Sequence, residues 1–280
     1  MLNKFHNEDC FKTMLSMQNQ NIKANAVITS PPYNTGRLTQ TQRSIDNYEN
    51  RYDIHLDNKT DEEYLDWSVN LFNEYNKILI ENGVVLYNVS YGAENNPNIM
   101  WLLISELIKK TEFMVADCIV WKKGCALPNN VSPNKLTRIT EFVFVFCRKS
   151  EYKTYHANKK VKSQSKTGQK YYENVFNFIE TRNNDGSCKF NKATFSSEFV
   201  ERLIDIYLKD GDVVYDSFMG TGTTAVACKR RNLNFIGSEL SQNQVQYSKE
   251  RLKEVAGCKA EGDYGIPPNN KLLGILPNEL

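Results

Sequence analysis

The feature that most restricts the fold is a repeated alternation of short apolar runs with amphipathic stretches. Seven runs have the composition of β-strands: Asn3–His6, Ala26–Thr29, Gly83–Val89, Met114–Trp121, Glu141–Arg148, Val213–Phe218 and Asn234–Leu240. Helical periodicity predicts five helices: Glu62–Glu81, Asn98–Lys110, Ser196–Leu208, Thr223–Arg231 and Gln242–Ala256. Strands that alternate with helices favour an α/β fold with a mostly parallel sheet, covered on both faces.

Length and composition fit one such core with insertions. The chain has 280 residues, of which 40% are hydrophobic and 24% charged, and these values exclude a disordered, collagen-like or coiled-coil protein. A net charge of +2 neither requires nor excludes a nucleic-acid partner. We expect no membrane span and no secretory signal, and seven cysteines without a C-x-x-C pair predict reduced thiols, no metal site and a cytoplasmic location.

Residues 216–224, Asp-Ser-Phe-Met-Gly-Thr-Gly-Thr-Thr, join an apolar strand to a helix. Gly220 and Gly222 allow a sharp turn and a close approach of a ligand to the backbone, and the helix N-terminus attracts an anionic group. The segment is not a P-loop, because no Gly-Lys-Ser/Thr follows. About twenty residues later comes Glu239, which we expect to accept hydrogen bonds from ribose hydroxyls, although it could simply cap the next helix.

Near the N-terminus a buried strand runs into Thr29-Ser30-Pro31-Pro32-Tyr33-Asn34. The two prolines stiffen the loop and remove two N–H donors, so its carbonyl groups stay free to accept hydrogen bonds. A rigid Tyr33 ring beside Ser30 suits a planar base with an exocyclic amine. By spacing alone, an ordinary Pro-Pro turn that closes a strand is the better explanation of the segment.

Together, the Thr29–Tyr33 segment and Asp216-x-Phe218-x-Gly220-x-Gly222-Thr223 resemble the S-adenosylmethionine-dependent DNA amino-methyltransferases, which methylate N4 of cytosine or N6 of adenine. The Pro-Pro loop precedes the glycine segment, as in the circularly permuted β group of that family. The resemblance covers roughly residues 1–256. It implies a Rossmann-like methyltransferase fold with a mixed, mostly parallel seven-stranded sheet flanked by helices.

The resemblance also implies site residues. The catalytic loop is Ser30, Pro31, Pro32 and Tyr33. S-adenosylmethionine is expected to bind Asp9, Cys10, Thr29, Ala193, Thr194, Phe195, Asp216, Phe218, Gly220, Thr221, Gly222, Thr223, Glu239 and Leu240. One departure is Asn191, which stands where many members have a histidine, so a histidine-specific contact is in doubt.

The resemblance implies transfer of a methyl group to the exocyclic amine of a flipped base. Ser30 slightly favours cytosine N4, with adenine N6 as the alternative. Cytosine-C5 methylation is excluded because no cysteine follows a proline. RNA or protein-glutamine methylation, or an inactive DNA-binding relative, are weaker alternatives. We expect none of the three histidines, His6, His55 and His156, to act in catalysis.

Two polar stretches interrupt the alternation. Residues 36–60 form a long polar loop that could close over the base, and residues 151–170 carry six lysines against one glutamate, with tyrosines interleaved. We therefore predict a catalytic half (1–148, with mobile loop 36–60), a basic target-recognition insert (149–188), a cofactor-binding half (189–256) and a tail (257–280). Phosphate contacts are expected from Arg37, Lys153, Lys159, Lys160, Lys162 and Lys166.

The predicted partner is double-stranded DNA. A homodimer and a cognate restriction endonuclease are further partners that the family implies.

Overall fold

A computed structural model describes residues 1–34, 59–91, 96–125, 133–134, 136–186, 191 and 194–257. Its strands are β1 (Lys4–His6), β2 (Ala24–Thr29), β3 (Leu79–Val89), β4 (Phe113–Lys123), β5 (Thr140–Arg148), β6 (Val161–Gln164), β7 (Lys170–Tyr172), β8 (Phe178–Thr181), β9 (Val213–Asp216) and β10 (Asn234–Ser238). Its α-helices are α1 (Cys10–Asn19), α2 (Asp61–Ile78), α3 (Ile99–Lys110), α4 (Ser197–Tyr207), α5 (Thr223–Arg230) and α6 (Gln242–Gly257).

Eight strands form one sheet in the order β1-β10-β9-β2-β3-β5-β4-β8. All neighbours are parallel except β5, which runs antiparallel to both β3 and β4. The mostly parallel α/β sheet is therefore confirmed. At its centre β2 pairs with β9, with Val27 opposite Tyr215. This pairing brings the two loops of interest, which follow β2 and β9, to the same edge of the sheet.

Helices cover both faces, as strands with nearly continuous apolar sequence require. On one face, α1, α2 and α3 bury an aromatic cluster in which Phe72 lies 4.9–5.6 Å, centroid to centroid, from Tyr87, Phe113 and Phe146. On the other face, α4 and α5 pack residues such as Phe199 against the sheet.

Helix α2 shows how local sequence sets these elements. Thr60 and Glu63 form a reciprocal capping box at its start, and the apolar positions of its buried face recur at helical spacing. The helix ends at Ile78 and β3 begins at Leu79, so the predicted extension of the helix to Glu81 is wrong.

The structure also corrects the strand count. The seven predicted strands are present, and an eighth, β8, joins the sheet edge beside β4. Its four residues lie within the predicted insert, 149–188, and only two of them are buried. A short, half-exposed edge strand has little apolar signal, which explains why it was missed. Helix α1 was also not predicted, although its buried residues Cys10, Thr13, Met14 and Met17 recur at helical spacing.

Several predictions fall outside the described residues. They concern nearly all of the loop 36–60, including Arg37, together with His55, Ala193 and residues 258–280 of the tail. Within the described ranges, no helix combines the length and apolar character needed to cross a membrane.

Candidate functional site

The site begins where β2 and β9 end side by side. Thr29, the last residue of β2, donates a hydrogen bond from Oγ1 to Oδ1 of Asp216, the last residue of β9, at 2.7 Å. The Thr224 hydroxyl donates to Oδ2 at 2.6 Å, and the Phe218 amide donates to Oδ1 at 3.1 Å. Asp216 is 1% exposed. One buried carboxylate thus fastens the Pro-Pro loop to the glycine segment.

A cavity of about 390 Å³ opens at this edge of the sheet. Most of the predicted catalytic and cofactor residues line it: Asp9, Cys10, Ser30, Pro31, Pro32, Tyr33, Thr194, Phe195, Phe218, Gly220, Thr221, Thr223, Glu239 and Leu240. Thr29, Asp216 and Gly222 lie outside this lining. The bonds above show that Thr29 and Asp216 support the wall from behind.

The glycine segment forms one end of the cavity. Gly220 and Gly222 have φ of 54° and 79°, the left-handed region that glycine adopts readily. The Gly220 amide donates to Oε2 of Glu239, and the Ser241 amide donates to Oε1, each at 2.9 Å. Burial raises the pKa of Glu239, while these amides lower it. The carboxylate therefore orders the glycine turn and holds Ser241, whose hydroxyl caps α6 by accepting from the Gln244 amide, and it also borders the cavity.

The N-terminal segment closes the same end. The Asn7 side chain donates to the carbonyl oxygens of Glu239 and Leu240, at 2.9 and 2.8 Å. Asp9 caps α1 by accepting from the Phe11 amide at 2.9 Å. Burial, followed by the charge of Asp9, raises the pKa of Cys10 to about 12, so its thiol stays protonated at neutral pH. A protonated, buried thiol makes this a packing residue rather than a nucleophile.

The opposite end of the cavity is built on the Pro-Pro loop. The Tyr64 hydroxyl donates to the Pro32 carbonyl at 2.8 Å, which ties the loop to α2. Oγ of Ser30 and the Tyr33 hydroxyl share a hydrogen bond of 2.7 Å, and Nδ2 of Asn88 donates to the Tyr33 hydroxyl at 3.1 Å. The loop that the sequence alone presents as a plain turn is thus held by two hydrogen bonds from α2 and β3 and by one within the loop.

Residues that the sequence did not single out complete this end: Asn88, Trp121, Lys123, Glu141, Asn183 and Asn184. They lie on β3, β4 and β5 and in the loop after β8, far apart in sequence. The Trp121 indole stacks on Phe199, with centroids 4.2 Å apart, and donates to the Thr181 hydroxyl at 2.9 Å. No local motif marks such positions, because only the sheet brings them together.

Asn191 lines the cavity near the glycine turn, and its side chain donates to Oε1 of the buried Gln244 at 3.0 Å. An amide pair therefore fills the place where the resemblance anticipates a histidine. Among the described residues, no group of three or more His, Cys, Asp or Glu side chains is arranged to hold a metal ion.

The basic segment begins against the main domain, where Asn158 donates to the Leu208 carbonyl, and continues into a separate small sheet. Strands β6 and β7 form a two-stranded antiparallel ribbon of their own. All six lysines of residues 151–170 are exposed: Lys153, Lys159, Lys160, Lys162, Lys166 and Lys170. Tyr171 and Tyr172 are 55% and 48% exposed beside them. The ribbon thus presents cations and aromatic rings to solvent, a composition typical of nucleic-acid-binding surfaces.

Comparison with known proteins places this site in a context. A family model described as DNA methylase matches residues 24–250. The Type II methyltransferase M.BglII of Bacillus subtilis is 24% identical over 90% of this chain and 69% of its own length. The Type II methyltransferase M.Cfr9I of Citrobacter freundii is 25% identical over 81% of this chain and 80% of its own.

Two solved structures share the fold. The complex of M1.HpyAVI with SAM aligns with a TM-score of 0.57 at 24% identity, over 89% of this chain and 99% of that one. The PvuII DNA methyltransferase, which is cytosine-N4-specific, aligns with a TM-score of 0.62 at 16% identity, over 90% of each chain.

Proposed function

The chain belongs to the DNA methylase family, and from that premise we propose that it methylates DNA, moving a methyl group from S-adenosylmethionine to the exocyclic amine of a flipped base. The proposal prefers N4 of cytosine to N6 of adenine. The observation that carries it is the shared cavity, which is bordered by the glycine segment at one end and by Ser30 and Tyr33 at the other. Donor and acceptor of the methyl group can therefore meet in one enclosed space.

The glycine end suits the cofactor. S-adenosylmethionine supplies an electrophilic methyl group on a sulfonium centre, with ribose hydroxyls and an adenine ring beside it. Glu239 offers a half-buried carboxylate to hydroxyl donors, and Phe195 and Phe218 offer apolar surface to a ring. The positive φ at Gly220 keeps the backbone turned close to this space. Thr29 and Asp216 fix the relative position of the two loops.

The Pro-Pro end suits the base. The lone pair of an exocyclic amine is delocalised into the ring, so the amine is a weak nucleophile. Acceptors at the Ser30 hydroxyl and the Pro31 carbonyl would bind its N–H groups and hold the nitrogen in line with the methyl group. The Tyr33 ring would stack on the base. Positioning of this kind supplies much of the rate, and the released proton passes to solvent.

Ser30 supports the preference for cytosine. A serine hydroxyl, rather than an acid or an amide, precedes the two prolines. The Ser30 hydroxyl shares its hydrogen bond with the Tyr33 hydroxyl, which is a neutral group.

The basic ribbon supports DNA as the substrate. Its exposed lysines can contact phosphates and its tyrosines can pack in a groove or against bases. We assign residues 149–188 to target recognition, although β8 within this range belongs to the main sheet. The relatives named Type II methyltransferases suggest a role beside a restriction endonuclease. A homodimer remains part of the proposal.

The test is transfer of tritiated methyl groups from S-adenosylmethionine to plasmid DNA, RNA and protein in separate reactions. Digestion of the labelled DNA and mass analysis then identify the product. We expect N4-methylcytosine in DNA. Finding N6-methyladenine would show that the enzyme methylates adenine rather than cytosine. Label only in RNA or only in protein would refute DNA methylation.

A matched pair of variants controls this assay. Ser30→Ala removes the proposed acceptor and should lower transfer by tenfold or more. Ser105→Ala, on α3 and outside the cavity lining, should transfer at the wild-type rate.

A further inference from the structure

A carboxylate lies in the wall of the cavity at its Pro-Pro end. Glu141, at the start of β5, is 9% exposed and forms an ion pair with Lys123 of β4 through Oε1. Its second oxygen, Oε2, accepts a hydrogen bond from Nδ2 of Asn88 at 3.0 Å. Asn88 is 3% exposed and lies on β3, the strand next to β5. Both oxygens of this carboxylate are therefore engaged.

Asn88 connects this carboxylate to the proposed catalytic loop. Its amide nitrogen donates to Glu141 and also to the Tyr33 hydroxyl, at 3.1 Å, and that hydroxyl bonds to Ser30 at 2.7 Å. The two N–H groups of the amide are thus both used. With Lys123, five side chains from three strands and one loop form a continuous chain that ends at Ser30.

The carboxylate sets the direction of this chain. If the Asn88 amide were turned over, its oxygen would face Oε2 of Glu141, and two acceptors would be in contact. In the observed orientation Oδ1 of Asn88 is buried without a hydrogen-bond partner among the described residues. An unpaired buried acceptor is unfavourable, and such exceptions call for an explanation. Glu141 therefore fixes the orientation of the Asn88 amide, and Oδ1 of Asn88 is left without a hydrogen bond among the described residues as a result.

We infer that Glu141 is a positioning residue for methyl transfer, which acts through Asn88 to hold the Tyr33 hydroxyl and, through it, Ser30. The inference rests on the proposed function of the Pro-Pro loop. Anchored at its hydroxyl, the Tyr33 ring has a fixed plane on which a base can stack. Small displacements of groups that align reactants cost large factors in rate. Lys123 balances the charge of Glu141 inside the protein.

The change Glu141→Gln tests this role because it keeps the shape and reverses the hydrogen bonding. Lys123 will take the amide oxygen of the new side chain, so its NH₂ group will face Asn88. The Asn88 amide must then turn over and present its oxygen to Tyr33. We expect turnover at saturating S-adenosylmethionine and plasmid DNA to fall by about tenfold to a hundredfold, with the KM for S-adenosylmethionine unchanged.

A double-mutant cycle with Tyr33→Phe distinguishes positioning from a general structural effect. If Glu141 acts through the Tyr33 hydroxyl, Glu141→Gln should lower turnover little further once that hydroxyl is absent. The matched control is Glu201→Gln. Glu201 is also ion-paired, to Arg230, and its side chain is 15% exposed against 11% for Glu141, but it lies outside the cavity lining. This control should turn over like the wild type.

The outcomes distinguish a failure of the positioning role of Glu141 from a failure of the proposed DNA methylation. Wild-type turnover in Glu141→Gln, or multiplicative losses in the double variant, would overturn the positioning role and leave DNA methylation intact. Failure of the wild-type protein to label DNA would overturn the proposed function and this inference with it. If Glu141→Gln melts well below the wild type, a variant that carries both Lys123→Gln and Glu141→Gln replaces it in the double-mutant cycle with Tyr33→Phe. The expected results are the same.

Discussion

Tyr33 combines two properties that single substitutions can separate. Its hydroxyl is bonded to Ser30 and Asn88, and the residue lines the cavity where a base would stack. Tyr33→Ala should remove stacking, worth about 1–3 kcal/mol by analogy with proteins that bind single-stranded nucleic acid, and should leave affinity for S-adenosylmethionine nearly intact. Calorimetric titration with the cofactor and methyl-transfer rates provide the two measurements. Loss of cofactor binding would contradict the division of the cavity into two ends.

Asp216 predicts a pH dependence of stability. Burial raises its pKa to about 6 from the 3.8 of an unperturbed aspartate, although bonds from Thr224, Thr29 and Phe218 lower it. The folded protein therefore holds this proton more tightly than the unfolded chain. The contribution of the carboxyl group to the free energy of unfolding is complete below about pH 4 and is lost as the pH rises to about 6.

Asp216→Asn should abolish this pH-dependent contribution to the free energy of unfolding. The free energy of unfolding of the wild type minus that of the variant should fall by roughly 3 kcal/mol between about pH 4 and pH 6, and stay constant above. Urea unfolding at several pH values measures the difference. Asp210→Asn, at an exposed aspartate, should give no such trend. A difference that grows with pH in this range would show that Asp216 has a lowered rather than a raised pKa.

At the residue scale, sequence reasoning can single out only the contiguous part of the candidate site. Ser30, Pro31, Pro32 and Tyr33 adjoin one another, so their types and order carry the signal. Glu141 and Asn88 carry none, because each looks like an ordinary polar residue at the end of an apolar strand. Their proximity depends on the register of β3 with β5, which no local pattern encodes.

At the scale of elements, the glycine turn depends on close packing between the start of α5 and α6. A Cβ atom at Gly222 would come within 2.8 Å of the Ser248 side chain, and φ there is 79°. We expect Gly222→Ala to destabilise the protein by about 1–2 kcal/mol for the left-handed backbone, with about 1–3 kcal/mol more for crowding. Cofactor affinity should fall as well.

Gly211 provides the control for Gly222. Its φ is 85°, but among the described residues no heavy atom beyond Gly211 and its two chain neighbours lies within 4 Å of the position of an added Cβ. Gly211→Ala should therefore show the backbone cost without the crowding and without loss of cofactor binding. Thermal unfolding and cofactor titration compare the two variants, and equal effects would contradict the packing argument.

The lysines in β6 and just before it predict the salt dependence of DNA binding. Replacing Lys159, Lys160 and Lys162 with alanine should weaken binding and lower the slope of log K against log salt by about 0.9 per lost phosphate contact. Filter binding from low to moderate salt measures the slope. The matched control replaces three exposed lysines on other elements, Lys12, Lys109 and Lys229. A slope that is unchanged by the replacement of Lys159, Lys160 and Lys162 would remove these lysines from the DNA interface.

Most of the periodic elements were predictable, with the short helix α1 as an exception, and the fully exposed elements were not. Four of the five predicted helices agree with the structure to within a residue or so at each end. The ribbon strands β6 and β7 were not predicted, because every residue in them is exposed and no apolar alternation marks them.

At the scale of the whole molecule, the cavity joins segments from both ends of the sequence, since Asp9 and Glu239 both line it. A ligand that contacts both segments stabilises only the folded chain. S-adenosylmethionine at 100 times its Kd should therefore add about 2.7 kcal/mol to the free energy of unfolding. Thermal unfolding with and without the cofactor measures this, and Glu239→Gln should reduce the shift. The absence of any shift in the wild type would contradict cofactor binding in this cavity.

The α/β class and the parallel character of the sheet were accessible from the alternation of strands and helices. The position of β10 between β1 and β9 could not be predicted in this way. It pairs β10 with β1, and these two strands lie more than 200 residues apart in the sequence.

The same arrangement constrains how the protein is made. Lys4 of β1 pairs with Ile236 of β10, so β1 lacks its strand partner until the ribosome has added some 230 residues. At translation rates of roughly 5–20 residues per second, that wait lasts about ten to fifty seconds. During this time β1, and the side of β2 that later pairs with β9, have unpaired backbone N–H and C=O groups, which can pair with other nascent chains. The cofactor end of the cavity thus forms only after translation has passed β10, and its yield depends on how well those edges are protected until then.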